Sequence, residues 1–225
     1  MRGCVPFAES CLVSPFTWAV LLCTVVLAGC DVATVRKLDP ATGKAIIEED
    51  QKLFDARTWV AENWDARVLP SVQERSVELS ELQRALASDS AAATKRSGNR
   101  AGSGSVSFLV RGTARVIEVD TTSRSGVAKL DLEPFDGSLD AQLQIGPVFR
   151  GTALRDALPF IRFDDFTNQM EYASVSRFLH ERVAETVVGK VDRAGLAGQV
   201  VAFYGAFTGG SGRPLITPVI LKVEG

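Results

Sequence analysis

Apolar positions recur at helical spacing in the segment between residues 48 and 88. They form two stripes, which are Leu53, Ala56, Val60, Trp64 and Val68, and then Val72, Leu79, Leu82 and Leu86. Pro70 lies between the stripes, and because proline interrupts a helix, it predicts that the first helix ends there and the second begins near Ser71. The pattern therefore predicts an N-terminal helical hairpin over residues 48–88.

The next segment, residues 89–104, is rich in Ser, Ala and Gly. This composition predicts an exposed loop of no fixed shape. Its basic residues Lys95, Arg96 and Arg100 leave a basic recognition segment open as an alternative, although three charges in a loop of this length are commonly just solvated.

After residue 104 the apolar positions alternate with polar ones, which is typical of strands with one buried face. Three strands are predicted from this alternation: Val106, Phe108 and Val110 with residues 116–119, then Ala128, Leu130 and Leu132, then Ala141, Leu143 and Ile145. Gly112 permits a bend in the first strand, and polar turns at residues 121–126 and 134–137 separate the three.

A long helix and two further strands complete the pattern. Asn168, with Glu171 three residues later, predicts a helix start, and a buried stripe continues to Val187. Residues 201–207 and 216–223 then predict two strands, and Pro218 is expected at a non-bonded position or an edge of the second.

The order of elements from residue 105 to residue 225 is thus β-β-β-α-β-β. This is the order of the oligonucleotide/oligosaccharide-binding (OB) fold, a five-stranded barrel with a helix between its third and fourth strands. The predicted class is mainly β with helices: an OB-like barrel domain preceded by the helical hairpin. A different small mixed α+β sheet is the alternative.

The N-terminal region carries a targeting signal. Residues 12–28 are largely apolar, and Leu27-Ala28-Gly29-Cys30 follows the cleavage pattern of bacterial lipoproteins. We therefore predict a signal peptide over residues 1–29, lipidation of Cys30, and a polar tether over residues 30–47. A retained transmembrane anchor is the alternative. Arg2 is the only basic residue before the apolar run, which leaves a true start codon downstream of Met1 as a second open point.

Cysteine and histidine usage limits the chemistry that is expected. The four cysteines are Cys4, Cys11, Cys23 and Cys30, all at or before the cleavage site, so neither a disulfide nor a thiolate site is expected in the folded part. The one histidine, His180, is predicted to lie on a helix surface, which leaves no histidine metal cluster and no Ser-His-Asp set. No cofactor and no metal site are expected.

Charge limits the partners. Lys and Arg number 25 against 27 Asp and Glu, so the net charge of −2 gives no basic field for a phosphate backbone, and nucleic acid is not an expected partner.

The segment of residues 146–168 has the densest combination of glycine, arginine and acidic residues. Arg150, Arg155 and Arg162 are candidates to converge on an anion, and Asp164, Asp165 and Asn168 precede the long helix. These six residues form the predicted ligand site. In the structural alternative, Arg155 pairs with Asp156 or Asp164, and the acids and Asn168 cap the helix.

The chain resembles a family of predicted bacterial periplasmic lipoproteins known as domain of unknown function 2291. The residues that carry this resemblance are Cys30, residues 64–70, 145–156 and 165–169, Gly205-Ala206-Phe207 and Thr217-Pro218-Val219. The resemblance implies a lipid-anchored envelope protein with a barrel of this type, encoded near sugar-type ATP-driven (ABC) importers, and it supplies no catalytic residues.

We therefore expect a binding or accessory lipoprotein that is not an enzyme. It is expected to face the periplasm, to be held to the membrane by its lipid (palmitate), and to assist ABC transporter components. Asp31 after the lipidated cysteine favours the inner membrane of a Gram-negative cell. The alternative function is a carboxylate-dependent hydrolase of envelope glycans that uses Asp164 and Asp165.

Overall fold

The structure is a computed structural model that describes residues 54–210 and 212–224. The predicted signal peptide, the lipidation site Cys30 and the predicted tether lie outside the described residues. Within the described part of the chain, no helix combines the length and the apolar character that crossing a bilayer requires.

The chain begins with one continuous helix in three parts: α1 (Ala56–Asn63), a π-helical turn (Trp64–Val68) and α2 (Leu69–Arg75). The prediction that Pro70 ends the helix is wrong. The N–H group of Leu69 donates to the carbonyl oxygen of Trp64, five residues earlier, so Pro70 falls in the first turn of a new α-helical segment. A missing N–H group is tolerated at that position.

The second predicted helix begins later than residue 71. Ser76 adopts an extended conformation and ends α2, and a two-residue strand β1 (Val77–Glu78) follows before α3 (Leu79–Ser88). The strand pairs in parallel with a later strand, so the chain between the helices belongs to the sheet.

The prediction of a shapeless loop over residues 89–104 is also wrong. The segment contains α4 (Ser90–Ser97) and β2 (Gly98–Arg100). Asp89 caps α4 by accepting a hydrogen bond from the Ala92 N–H group, and the alanines that follow favour a helix.

The five long strands have the predicted positions. After β3 (Val106–Asp120), β4 (Val127–Leu132) and β5 (Ala141–Gln144) come the short helix α5 (Ala153–Ala157), a 3₁₀ turn (Phe163–Asp165) and the long helix α6 (Gln169–Thr186). Two further 3₁₀ turns (Val188–Lys190 and Ala194–Leu196) lead to β6 (Val200–Thr208) and β7 (Leu215–Glu224).

Each long strand has two long-strand neighbours. β3 pairs antiparallel with β4 and β6, β4 antiparallel with β5, β5 parallel with β7, and β7 antiparallel with β6. β1 and β2 add to β3. Pro218 lies at the register shift where Tyr204 pairs with Ile220 and Gly205 with Pro218, so the irregular position predicted for it is observed.

One hydrophobic core joins the sheet and the helices. The largest fully buried side chains include Phe108, Leu130, Leu143 and Phe203 of the sheet and Leu179 of α6. α1 packs against α6, whereas α3 packs against α4 and β3. Because the two N-terminal helices are separated by β1 and pack on different partners, the described residues do not have the predicted helical hairpin.

Candidate functional site

A cleft of about 830 Å³ lies between the turn that joins β2 to β3 and the segment that leads from α5 into α6. We call it the arginine cleft, because three arginines line it. Its lining residues are Asn99, Arg100, Ala101, Gly102, Ser103, Gly104, Arg155, Pro159, Ile161, Arg162, Phe163, Asp164, Gln169, Tyr172 and Ala173.

Arg155 is held in one place by its neighbour Asp156. Its Nε and Nη2 atoms lie 2.8 and 2.7 Å from Asp156 Oδ1, and only 11% of its side chain is exposed. The guanidinium group also lies 3.7 Å from the ring centroid of Tyr172 and donates to the Tyr172 carbonyl oxygen at 3.3 Å. The pairing with Asp156 is one of the two that the structural alternative predicts for Arg155.

Asp156 is the centre of that arrangement. Its Oδ2 atom accepts a hydrogen bond from the Thr152 hydroxyl at 2.5 Å, and its Oδ1 atom accepts one from the Tyr172 hydroxyl at 3.3 Å. Burial raises the pKa of Tyr172, which keeps the hydroxyl a donor. The Asn99 amide donates to the Asp156 carbonyl oxygen at 2.7 Å and so ties β2 to α5 across the cleft.

Arg162 and Arg100 offer their side chains to solvent at the cleft. Arg162 is 69% exposed and lies 3.5 Å from Asp164, itself 79% exposed, which makes a weak surface ion pair. Arg100 is exposed and donates one Nη1 hydrogen bond to the Gly104 carbonyl oxygen at 2.8 Å. Each guanidinium has five N–H donors, so both keep donors for a ligand.

The predicted acids and Asn168 make local contacts. Asp165 accepts a hydrogen bond from the Arg162 N–H group at 3.2 Å, and Asn168 caps α6 by accepting from the N–H groups of Met170 and Glu171 at 2.9 and 3.0 Å. Asp164 lines the cleft, and Asp165 and Asn168 are not among its described lining residues.

Arg150 does not join the other two predicted arginines. Its backbone N–H group donates to the buried Gln144 side chain at 2.7 Å, and its carbonyl oxygen accepts from the same amide at 3.2 Å. The Arg150 side chain is exposed and is not part of the described cleft lining. The structure thus brings together Arg155, Arg162 and Asp164, and adds Arg100 to them.

The prediction that His180 is a surface residue is wrong. The ring is half-buried and stacks on Phe149, with centroids 5.6 Å apart. Burial, helped by the positive charge of Arg155, lowers the pKa of His180 to about 4. Its Nε2 atom is buried without a hydrogen-bond partner among the described residues. His180 is therefore neutral at physiological pH.

Sequence reasoning did not place Arg100, Gln169 or Tyr172 at the site. For Arg100 the sequence does contain a signal of binding, since this residue belongs to the basic recognition segment that is the alternative for residues 89–104. What brings it to the cleft is the pairing of β2 with β3, in which Arg100 lies opposite Val106. The cleft combines exposed guanidinium groups with the aromatic ring of Phe163, so it is suited chemically to an anionic ligand with a ring or another apolar face.

Comparison with known proteins gives a family and a fold. A family model described as "Predicted periplasmic lipoprotein (DUF2291)" matches residues 20–222. No curated protein matches the chain significantly. Among solved structures, an OB-fold protein from Thermotoga maritima is similar with a TM-score of 0.63 and 16% identity, over 76% of this chain and 99% of that chain. At that identity the likeness shows the fold alone, which is of the OB type.

Proposed function

Since the chain belongs to the DUF2291 family of predicted periplasmic lipoproteins, we propose that it is a lipid-anchored binding module that holds an anionic sugar in the arginine cleft. The family assignment places the protein in the cell envelope. The proposal adds three points to this assignment: a lipid anchor at Cys30, an anionic sugar as the ligand, and a role as an accessory to a sugar-type ABC importer. Asp31 favours the inner membrane as the location of the anchor.

The observation that carries the ligand is the exposure of Arg100 and Arg162 on two segments that line one cleft. Guanidinium groups bind carboxylates and phosphates through paired hydrogen bonds. Asp164 is the acidic residue of the described lining, and it forms an ion pair with Arg162. Asp156 balances the charge of Arg155 in the same way. The cleft therefore retains positive charge that an anion would balance.

A sugar acid or sugar phosphate fits the other features of this site. The Phe163 ring is 50% exposed and offers an apolar face, and the Gln169 amide of the lining offers polar partners for hydroxyl groups. The OB fold is also used by proteins that bind oligosaccharides.

We propose that the five long strands form the closed barrel of this fold, because their pairings lead from β3 through β4, β5, β7 and β6 back to β3.

The hydrolase alternative is less well supported by the geometry. Asp164 pairs with Arg162, and the Asp165 carboxylate accepts a hydrogen bond from the backbone of Arg162. The two acids thus hold the local structure around Arg162 and do not face each other across the cleft. If the unchanged protein turned over a glycan, and Asp164→Asn abolished this turnover without changing binding, the hydrolase would be favoured.

Calorimetry with three matched sugars tests the ligand. Glucuronate and glucose 6-phosphate should bind at least about tenfold more tightly than uncharged glucose, because a charge-assisted hydrogen bond contributes roughly 1.5–3 kcal/mol. Arg162→Gln and Arg100→Gln should each remove most of that advantage. Arg84→Gln is the matched control, since Arg84 is exposed on α3 and bonds the Ser80 carbonyl oxygen.

Equal affinity for glucose and glucuronate, or arginine variants that bind as the unchanged protein does, would contradict the proposal.

The proposed role as an importer accessory has its own test. The lipidated protein should co-purify with an importer permease, and deletion of its gene should lower sugar uptake; unchanged uptake would contradict this step and leave the ligand proposal standing.

A further inference from the structure

A second cavity, of about 580 Å³, lies between the π-helical turn, the C-terminal half of α6 and β7. We call it the π-turn pocket. Its floor is apolar, since the partly buried side chains of Leu69, Val191 and Leu221 line it above the buried Trp64. Such a floor, in a cavity large enough for a small organic molecule, is typical of ligand sites.

The π-helical turn builds one wall of this pocket. Trp64 and Leu69 both line it, although they are five residues apart. In a regular α-helix residues at that spacing point roughly 140° apart. The wider turn, in which the Leu69 N–H group bonds the Trp64 carbonyl oxygen, aligns them on one side. Local π turns of this kind often occur at functional sites.

Three cations from three elements surround the apolar floor. They are Arg182 on α6, Lys190 at the end of the 3₁₀ turn Val188–Lys190, and Lys222 on β7. Two acids, Asp65 and Asp192, also line the pocket, and Asp192 accepts a hydrogen bond from the Ala194 N–H group at 3.2 Å. Positive charge therefore exceeds negative charge in the described lining.

Arg182 differs from Arg155 in how it is compensated. Its Nη2 atom lies 4.0 Å from Asp65, a carboxylate whose side chain is 77% exposed, and its buried Nε atom has no hydrogen-bond partner among the described residues. Arg155, by contrast, binds Asp156 through both Nε and Nη2. A partly buried guanidinium without a close carboxylate has terminal donors available for an anion from outside.

We propose that the π-turn pocket binds an amphiphilic anion, that is, a carboxylate or phosphate attached to an apolar body. The anionic group pairs with Arg182, Lys190 and Lys222, and the apolar body lies against Leu69, Val191 and Leu221, next to the Trp64 ring. This proposal does not depend on the arginine cleft, which has a different set of lining residues.

The full chain is titrated with decanoate, with 1-decanol as an uncharged molecule of the same chain length, and with inorganic phosphate as an anion without an apolar body. Tryptophan fluorescence is the readout, and Trp64→Phe identifies the part of the signal that comes from this pocket. Decanoate should change the Trp64 emission and bind at least about tenfold more tightly than decanol or phosphate.

Two charge variants keep the test decisive. Arg182→Gln should weaken decanoate binding about tenfold, and Lys222→Gln, at an exposed position of β7, about threefold. Lys95→Gln, at an exposed position on α4, is the control and should bind decanoate as the unchanged protein does. Equal binding of decanol or phosphate, no Trp64 response, or no effect of Lys222→Gln would overturn the proposal.

Discussion

Acidification should destabilise this protein through His180. The imidazole is half-buried on α6 against Phe149, and burial together with the charge of Arg155 lowers its pKa from 6.5 to about 4. In the unfolded chain the group regains its ordinary pKa. Below pH 6.5 the unfolded chain therefore binds a proton that the folded protein resists, and the free energy of unfolding falls.

The magnitude follows from the two pKa values. One pKa unit corresponds to about 1.36 kcal/mol, so the difference between 6.5 and about 4 corresponds to roughly 3 kcal/mol. This stability is fully present above pH 6.5, is lost as the pH falls towards 4, and does not change further below the folded pKa. Such a loss is a large part of the 5–15 kcal/mol that stabilises a typical domain.

Urea unfolding at several pH values between 7 and 4 measures this effect in the unchanged protein and in His180→Phe. Phenylalanine retains an aromatic ring to stack on Phe149 and has no proton to bind. Because the chain has one histidine, the difference between the two pH profiles isolates this residue. Hydrogen bonds lower the pKa values of Asp55, Asp120 and Asp136, and because both proteins contain these groups, their titration cancels in the difference.

The unchanged protein should lose about 3 kcal/mol more than His180→Phe between pH 7 and pH 4. Profiles that run parallel within about 0.5 kcal/mol, the usual spread for neutral surface changes, would refute the reasoning. That result would mean that the imidazole takes up a proton in the folded protein without cost.

Three further predictions concern the framework and the anchor. Arg155→Lys should lower stability by about 1–3 kcal/mol in thermal unfolding because lysine loses the planar fork that binds Asp156, whereas Arg150→Lys should stay within about 0.5 kcal/mol; similar losses for both would contradict this account. Asn168→Ala should cost about 1 kcal/mol by removing the cap of α6, and an unchanged melting temperature would count against that role. Cys30→Ser should abolish metabolic lipid labelling and signal-peptide cleavage, and a variant that is still processed and membrane-bound would indicate a transmembrane anchor instead.

The five long strands and α6 are predictable from the sequence because their signals are local. Alternating apolar positions mark β3 to β7 directly, and the Asn168 side chain caps α6 within three residues of itself. The pairing of Arg155 with Asp156 is also a contact between neighbours in sequence, so the sequence alone offers it as an alternative.

The failures come from two sources: local features that the hydrophobic pattern does not show, and contacts between segments distant in sequence. A π-helical turn moves Pro70 into a permitted position, and the cap at Asp89 stabilises α4 in a segment whose Ser and Gly content favours a loop. His180 is half-buried, and Phe149 from a loop distant in sequence stacks on its ring. Arg100 reaches the arginine cleft through the pairing of β2 with β3.

The most direct test of the central claim is a glucuronate titration of the ¹⁵N-labelled protein followed by NMR. The account predicts that amide shifts concentrate in the residues lining the arginine cleft, at residues 99–104 and 159–173, and that Arg162→Gln greatly reduces them. Shifts that map elsewhere on the protein, or that persist unchanged in Arg162→Gln, would contradict the claim that this cleft binds an anionic sugar.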